Sequence, residues 1–494
     1  MFRQRSLFIL TKRYKHARSH WSVELKKKST KDRALDSFDD FYGSVYGQRW
    51  HSMRAALLTE HKYVALVNNF GDSESTVTAL EAEGAINLRS IYNFAMTNFS
   101  EKRLNSVRNQ VNESATDITM RRMVEHKQHD ESAEIYPEGT DFTNRNDIRN
   151  PIDDSVPRVD FKKSLTQTVE EDSDIDYRRT IETSAGSDVL QEFIPATKLK
   201  GMEDWIPESD HYKYYDTTAD FPLRIETDAD LVFPENLNIF TYEKGNVSTF
   251  INPKRSVTGV LSHFLMDGAS ILPPLVLGIE PGDRVLDACA APGGKSLIML
   301  QTLCPEMLVS NDLQRSRVDR INRIFRDYLI DYEKNWKNKR CMVTEGDARE
   351  ISEYGMYDKI LVDVPCTTDR HAVMESDNNI FKPTRLKERL RIPELQSAIL
   401  AHCIQLLRPG GSLVYSTCSL SPVQNDGVVH MALSRVFTDF NISVTIKDLS
   451  RTTTTLKTIF KFENPKKLKY GQMVVPFLPA NFGPMYFCKL TRNT

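Results

Sequence analysis

Two cysteines stand just beyond strand-like apolar runs. Cys366 lies in Asp363-Val364-Pro365-Cys366 after Lys359-Ile360-Leu361-Val362, and Cys418 lies in Ser416-Thr417-Cys418-Ser419 after Gly411-Ser412-Leu413-Val414-Tyr415. In open α/β sheets ligands gather outside the carboxyl ends of strands, so both thiols are aimed at one substrate. A thiolate serves where the reacting carbon has no lone pair of its own. Added at carbon 6 of a pyrimidine, it makes an enamine whose carbon 5 can attack an electrophilic methyl group. Methylation of a ring nitrogen or an amine needs no such step. Asp363, three residues before Cys366, is placed to stabilise charge near ring nitrogen 3. The carbon 5 proton must then leave and the thiol be expelled, which gives a second cysteine or a nearby base a task. A single buried cysteine is usually a small hydrophobe. Cys289, Cys304, Cys341, Cys403 and Cys488 are read that way, and the pairing at strand ends sets Cys366 and Cys418 apart.

A third signal lies upstream. Val285-Leu286-Asp287-Ala288-Cys289-Ala290-Ala291-Pro292-Gly293-Gly294-Lys295-Ser296 reads as strand, small-residue loop and helix start, which lets backbone approach a nucleotide-like cofactor. A nucleoside-triphosphate loop needs a glycine five positions before Gly294, where Cys289 stands. The Gly-x-Gly-x-x-Gly dinucleotide fingerprint is missing too. What remains is a smaller adenosyl cofactor. Asp312, ending Leu308-Val309-Ser310-Asn311-Asp312, can accept from two ribose hydroxyls, and Asp347, after Thr344-Glu345-Gly346, can receive the adenine amino group. Any one such acid could equally cap a helix. Their recurrence at strand ends favours the cofactor.

The elements that must position these groups follow from about residue 236, where strands and helices alternate as in a mainly parallel sheet with helices on both faces. Val318, Ile321, Ile324, Phe325 and Leu329 form one apolar helix face, and Arg315, Arg317, Arg320, Arg323 and Arg326 fill the rest. A second basic cluster, Lys382, Arg385, Lys387, Arg389 and Arg391, follows the first cysteine motif and is the better candidate for phosphate contacts. Before this domain, residues 31–99 read as a small helical region, with Phe38, Phe41, Tyr42 and Val45, then Leu57-Leu58 and Val64-Ala65-Leu66-Val67. Residues 100–235 shift to Asp, Glu, Asn, Ser and Thr with sparse apolar residues, and read as an acidic, disordered insert. Its aromatic stretch from Trp205 to Tyr215 is a linker or a docking segment.

With 494 residues the chain needs more than one region, and its net charge of −2 places any RNA affinity in a local patch or a partner. Seven cysteines without Cys-x-x-Cys fit neither a disulfide framework nor a zinc site, so no metal is expected. Residues 1–30 carry Arg3, Arg5, Lys12, Arg13, Lys15 and Arg18 with no acid before Glu24, the pattern of a mitochondrial presequence. No apolar run approaches a membrane span.

Asp287-Ala288-Cys289-Ala290-Ala291-Pro292-Gly293-Gly294-Lys295, Asp363-Val364-Pro365-Cys366 and Thr417-Cys418-Ser419 resemble, in order, the cofactor motif and two cysteine motifs of the Nop/Sun-type RNA cytosine-5 methyltransferases. Val364-Pro365-Cys366-Thr367-Thr368-Asp369-Arg370-His371, Asn481-Phe482-Gly483-Pro484-Met485-Tyr486-Phe487-Cys488 and the stretch Leu57 to Phe70 resemble more narrowly the family's mitochondrial ribosomal-RNA branch. The resemblance implies a doubly wound, Rossmann-like methyltransferase sheet over residues 236–494, mostly parallel with an antiparallel C-terminal strand. It implies S-adenosylmethionine as cofactor, Cys418 as nucleophile and Cys366 as the residue aiding product release. Gly293, Gly294, Lys295, Asp312, Arg317 and Asp347 would surround the cofactor, with Asp363 near both cofactor and cytosine. It also implies mitochondrial small-subunit ribosomal RNA as substrate, the matrix as location, a role in ribosome assembly, and RNA affinity borrowed from a helical-repeat partner of the mitochondrial transcription-termination-factor type. Mitochondrial transfer RNA as substrate, or a docking role in assembly with methylation dispensable, stay as alternatives. The acidic insert has no counterpart in the pattern, and Asp426 stands where Glu is usual after the second cysteine motif.

Overall fold

The computed structural model describes residues 28–97 and 221–493. The presequence-like leader and most of the acidic segment, including Trp205 to Tyr215, lie outside the described residues. In chain order the first strands are β1 (Tyr63–Val67), β2 (Ile86–Asn87), β3 (Arg224–Thr227), β4 (Ile239–Thr241) and β5 (His263–Asp267). Then come β6 (Arg284–Asp287), β7 (Met307–Asp312), β8 (Cys341–Glu345), β9 (Tyr357–Asp363), β10 (Leu407–Thr417), β11 (Val444–Asp448), β12 (Gln472–Val474) and β13 (Met485–Arg492).

Among the described residues the strands make two sheets. The larger has the order β3-β11-β13-β10-β9-β6-β7-β8, with β12 added beside β13. Its pairs are parallel except those made by β13, which runs antiparallel to β10, β11 and β12. This is the expected α/β sheet with its antiparallel C-terminal strand. Successive side chains alternate between faces. Ile360, Val362, Leu413 and Tyr415 therefore pack on one side and Leu361 and Val414 on the other, all fully buried. Helix Ile392–Leu406 covers the first face, and helices Gly294–Gln301 and Arg315–Tyr328 cover the second.

Three helices precede the second sheet's partners: α1 (Thr30–Tyr46), α2 (Arg49–Leu57) and α3 (Ser73–Ala82). A capping box between Ser29 and Asp32 starts α1, and its buried Ala34, Phe38, Tyr42 and Tyr46 recur every fourth residue. The region is not wholly helical. Val64-Ala65-Leu66-Val67, read as part of a helical pattern, belongs to strand β1. A short continuous apolar run fits either element, and here β4 and β5 supply antiparallel partners on both sides in the order β2-β4-β1-β5. Residues 221–235, grouped with the low-order insert, include β3, whose Ile225 pairs with Ile446 of β11. Residues 224–227 of the span 100–235 therefore belong to the larger sheet.

Candidate active site

The parallel register of β9 and β10 sets Asp363 beside Ser416, so both chains leave the sheet side by side. The loops that follow bring the two thiols together, with Cys366 Sγ 3.1 Å from Cys418 Sγ. Below them the Asp363 carboxylate accepts from Lys295 Nζ at 2.8 Å and from Ser416 Oγ at 2.8 Å. The Cys418 thiol is pushed well above its usual range, first by its hydrogen bond to Cys366, then by burial and by the charge of Asp363. Lys295 acts on it in the opposite direction. Burial is the largest influence on the Lys295 ammonium and disfavours it, but the charge and hydrogen bond of Asp363 together with Cys418 and Asp287 raise it on balance. One thiol hydrogen-bonds the other, beside an ion pair whose carboxylate favours the neutral Cys418 thiol and whose ammonium favours the thiolate.

A second group gathers at β6 and β7. Gly293 has φ 115°, a left-handed conformation that favours glycine, and it starts helix Gly294–Gln301. A Cβ on Gly294 would come within 2.9 Å of Phe264 Cε1. The Asp312 carboxylate at the end of β7 accepts from the Ala291 amide at 3.1 Å and pairs with Arg317 at 3.3 Å. Arg317 also donates to the Ala291 carbonyl at 3.1 Å, so it turns from its basic helix face toward the loop. Asp347 joins neither set. It lies two residues beyond β8, where Arg349 donates to both its oxygens and holds its carboxyl below the usual range.

Residues 274–490 match the family described as 16S rRNA methyltransferase RsmB/F. The 5-cytosine rRNA methyltransferase nsun-4 of Caenorhabditis elegans is 31% identical over 477 residues, covering 94% of this chain and 92% of the worm protein. The 5-cytosine rRNA methyltransferase NSUN4 of Xenopus laevis is 32% identical over 483 residues, covering 98% and 96%. The chain belongs to this Nop/Sun, or RsmB/F, family. Its members are S-adenosylmethionine-dependent RNA cytosine-5 methyltransferases. A mouse protein described as a mitochondrial tRNA (cytosine(34)-C(5))-methyltransferase is 37% identical over 243 residues, covering 49% of this chain and 67% of that one.

The loop residues fit the family's cofactor. Asp287 is fully buried; Ser296 Oγ donates to its Oδ2 at 2.6 Å, and its Oδ1 has no hydrogen-bond partner among the described residues. Burial raises this carboxyl to about 7. A buried acceptor without a donor, under a glycine turn, is a position left for a polar ligand.

Sequence reasoning missed a second buried carboxylate beside the thiols. Asp369 is fully buried and accepts from Tyr42 Oη at 2.7 Å, the Leu420 amide at 2.7 Å, Thr367 Oγ1 at 2.5 Å and Ser419 Oγ at 3.2 Å. It ties α1 to both cysteine loops at one point. Gln424 closes the same network, accepting from the Thr367 amide at 3.1 Å and donating to Thr367 Oγ1 at 3.2 Å. Asp426, the departure from the family pattern, accepts from the amides of Lys469, Tyr470 and Gly471 and from Tyr486 Oη, anchoring the loop before β12. The second basic cluster is largely engaged internally. Arg385 pairs with Glu388, and Arg389 stacks 4.5 Å over Phe381.

Proposed function

We propose that the protein forms 5-methylcytosine in mitochondrial small-subunit ribosomal RNA, with residues 236–494 as the catalytic domain and residues 1–30 as its import leader. The observation that carries the chemistry is the Cys366–Cys418 contact at 3.1 Å beside the Asp363–Lys295 ion pair. Bound S-adenosylmethionine supplies an electrophilic methyl group. Gly293, Gly294, Lys295, Asp312, Arg317, Asp347 and Asp363 would hold it, as the family resemblance implies. Cys418 Sγ, once deprotonated, forms a bond to carbon 6 of the cytosine, and the ring electrons pass to carbon 5 for methyl transfer. Asp363, fixed by Lys295 and Ser416, would accept a hydrogen bond from ring nitrogen 3 in its protonated form, so that the negative charge brought by the thiolate is offset by that proton. A base, the second cysteine or a nearby group, takes the carbon 5 proton; the pair from that C–H bond re-forms the carbon 5–carbon 6 double bond as the Cys418–carbon 6 bond breaks and its electron pair returns to sulfur. Cys366 assists that release.

Ribosomal RNA as substrate is supported by relatives described as rRNA methyltransferases that match nearly the whole chain. The acid-free basic leader supports mitochondrial import into the matrix. A net charge of −2 supports an RNA affinity shared with a helical-repeat partner of the transcription-termination-factor type, and a place in ribosome assembly. No helix among the described residues is long and apolar enough to cross a membrane. A second reading, mitochondrial transfer RNA as substrate, draws on the shorter match to the mouse enzyme.

Bisulfite sequencing of mitochondrial RNA from cells lacking the protein, complemented by wild type or Cys418→Ala, tests this. Loss of one small-subunit 5-methylcytosine, restored by wild type only, is expected. The variant's rate should fall about a thousandfold or more. An unchanged ribosomal profile with a lost transfer-RNA mark would move the substrate. Ribosome assembly rescued by Cys418→Ala would make docking the essential task.

A further inference from the structure

We infer that the cavity beside Cys418 binds the RNA base next to the methylated cytosine, an amino-bearing base stacked on Tyr63; this rests on the reading of the protein as an RNA methyltransferase. The cavity measures about 440 Å³, with Cys418 and Thr368 on one wall and His61 and Tyr63 on another. Tyr63 opens β1 and sits directly opposite Asp267 of β5, so the two side chains share a sheet face. Its ring is 47% exposed and lies 4.5 Å from the His61 ring at 45°. An exposed aromatic lining the same cavity as Cys418 is the kind of platform on which single-stranded RNA bases stack.

The charge of the cavity decides which part of a nucleotide enters. Glu60, Asp267 and Glu375 line it with carboxylates. The Arg370 guanidinium donates instead to the carbonyls of Ala56, Thr59 and Gly483 and to Asn481 Oδ1, pinning the N-terminal wall to the cysteine loop. His371 Nε2 is bonded to the Asp377 carbonyl, and burial holds His61 below its usual range. Three acids against one arginine leave the lining net negative even though Asp267 Oδ1 already accepts from the Gly483 amide, which disfavours phosphate and suits the amino group of cytosine or adenine. Asp363 and Lys295 do not line this cavity. In the proposed reaction the target cytosine lies at Asp363, so a base in this cavity is its neighbour in the RNA, with Cys418 between the two.

The test is steady-state methylation of RNA oligonucleotides by the full chain, with an abasic site placed on either side of the target cytosine. Tyr63→Ala should raise the KM for RNA about tenfold, leave kcat and the KM for S-adenosylmethionine unchanged, and keep the wild-type melting temperature. Tyr63→Phe should restore the wild-type KM. An abasic site at the recognised flank should raise the wild-type KM by a similar factor and leave that of Tyr63→Ala unchanged. A Tyr63→Ala profile matching wild type, or penalties that multiply independently, overturns this inference alone. Wild-type inactivity on every RNA would instead overturn the reading beneath it.

Discussion

Buried carboxylates at the two halves of the site are treated differently. Beside the cysteine loops, Asp369 and Asp426 each take hydrogen bonds from four donors. Under the cofactor loop, Asp287 keeps one oxygen without a partner among the described residues. Satisfied carboxylates rigidify, because every donor they hold is fixed in place; an unsatisfied one is costly and so marks a place for something else. The carboxylates near the two sulfurs, 3.1 Å apart, are thus fully engaged, and under the proposed function the free oxygen of Asp287 is left for the cofactor.

The sharpest way to break this contrast is Asp287→Asn. An acid whose folded pKa, about 7, exceeds its unfolded value stabilises fully below the unfolded pKa and loses that stability as pH rises through the folded one. With an unfolded value near 3.9, about 4 kcal/mol should be lost mostly between pH 4 and 7. Thermal unfolding of cofactor-free protein across that range should therefore show a steeper decline for wild type than for Asp287→Asn. Parallel curves would mean that the carboxyl is paired in solution.

Asp369→Asn should come next, costing about 3 kcal/mol, because an amide cannot accept from Tyr42, Leu420, Thr367 and Ser419 at once. Since the network aligns the thiols, kcat should fall more than KM rises, and Cys418 should alkylate at a changed rate. Lost stability with unaltered kcat and alkylation would reduce the network to a scaffold. Smallest is Tyr42→Phe, which removes one of the four donors and should cost about 1 kcal/mol in chemical denaturation. A cost as large as that of Asp369→Asn would show that α1, not the carboxylate, sets the loops.

The gathering of these groups at strand ends was legible because strand ends are local. Asp312, Asp363, Cys366 and Cys418 each follow an apolar run, and parallel pairing then brings them together. What escaped depends on partners far apart in sequence. Tyr42 reaches Asp369 across 327 positions, and β1 owes its strand conformation to β4 and β5, almost two hundred residues later. Periodicity reports which face of a segment is apolar; it carries nothing about which segment will cover that face. Asp369 was in plain view after the first cysteine motif, yet only a tyrosine arriving from α1 reveals what it holds.

The four-stranded sheet separates its strands in sequence but not in space: Ile86 of β2 pairs with Thr241 of β4. Its antiparallel register, not the spacing of its strands along the chain, fixes which residues stand opposite one another, so Tyr63 faces Asp267 and Ile86 faces Thr241. A one-residue insertion within β1 would turn Tyr63 to the other face of the sheet.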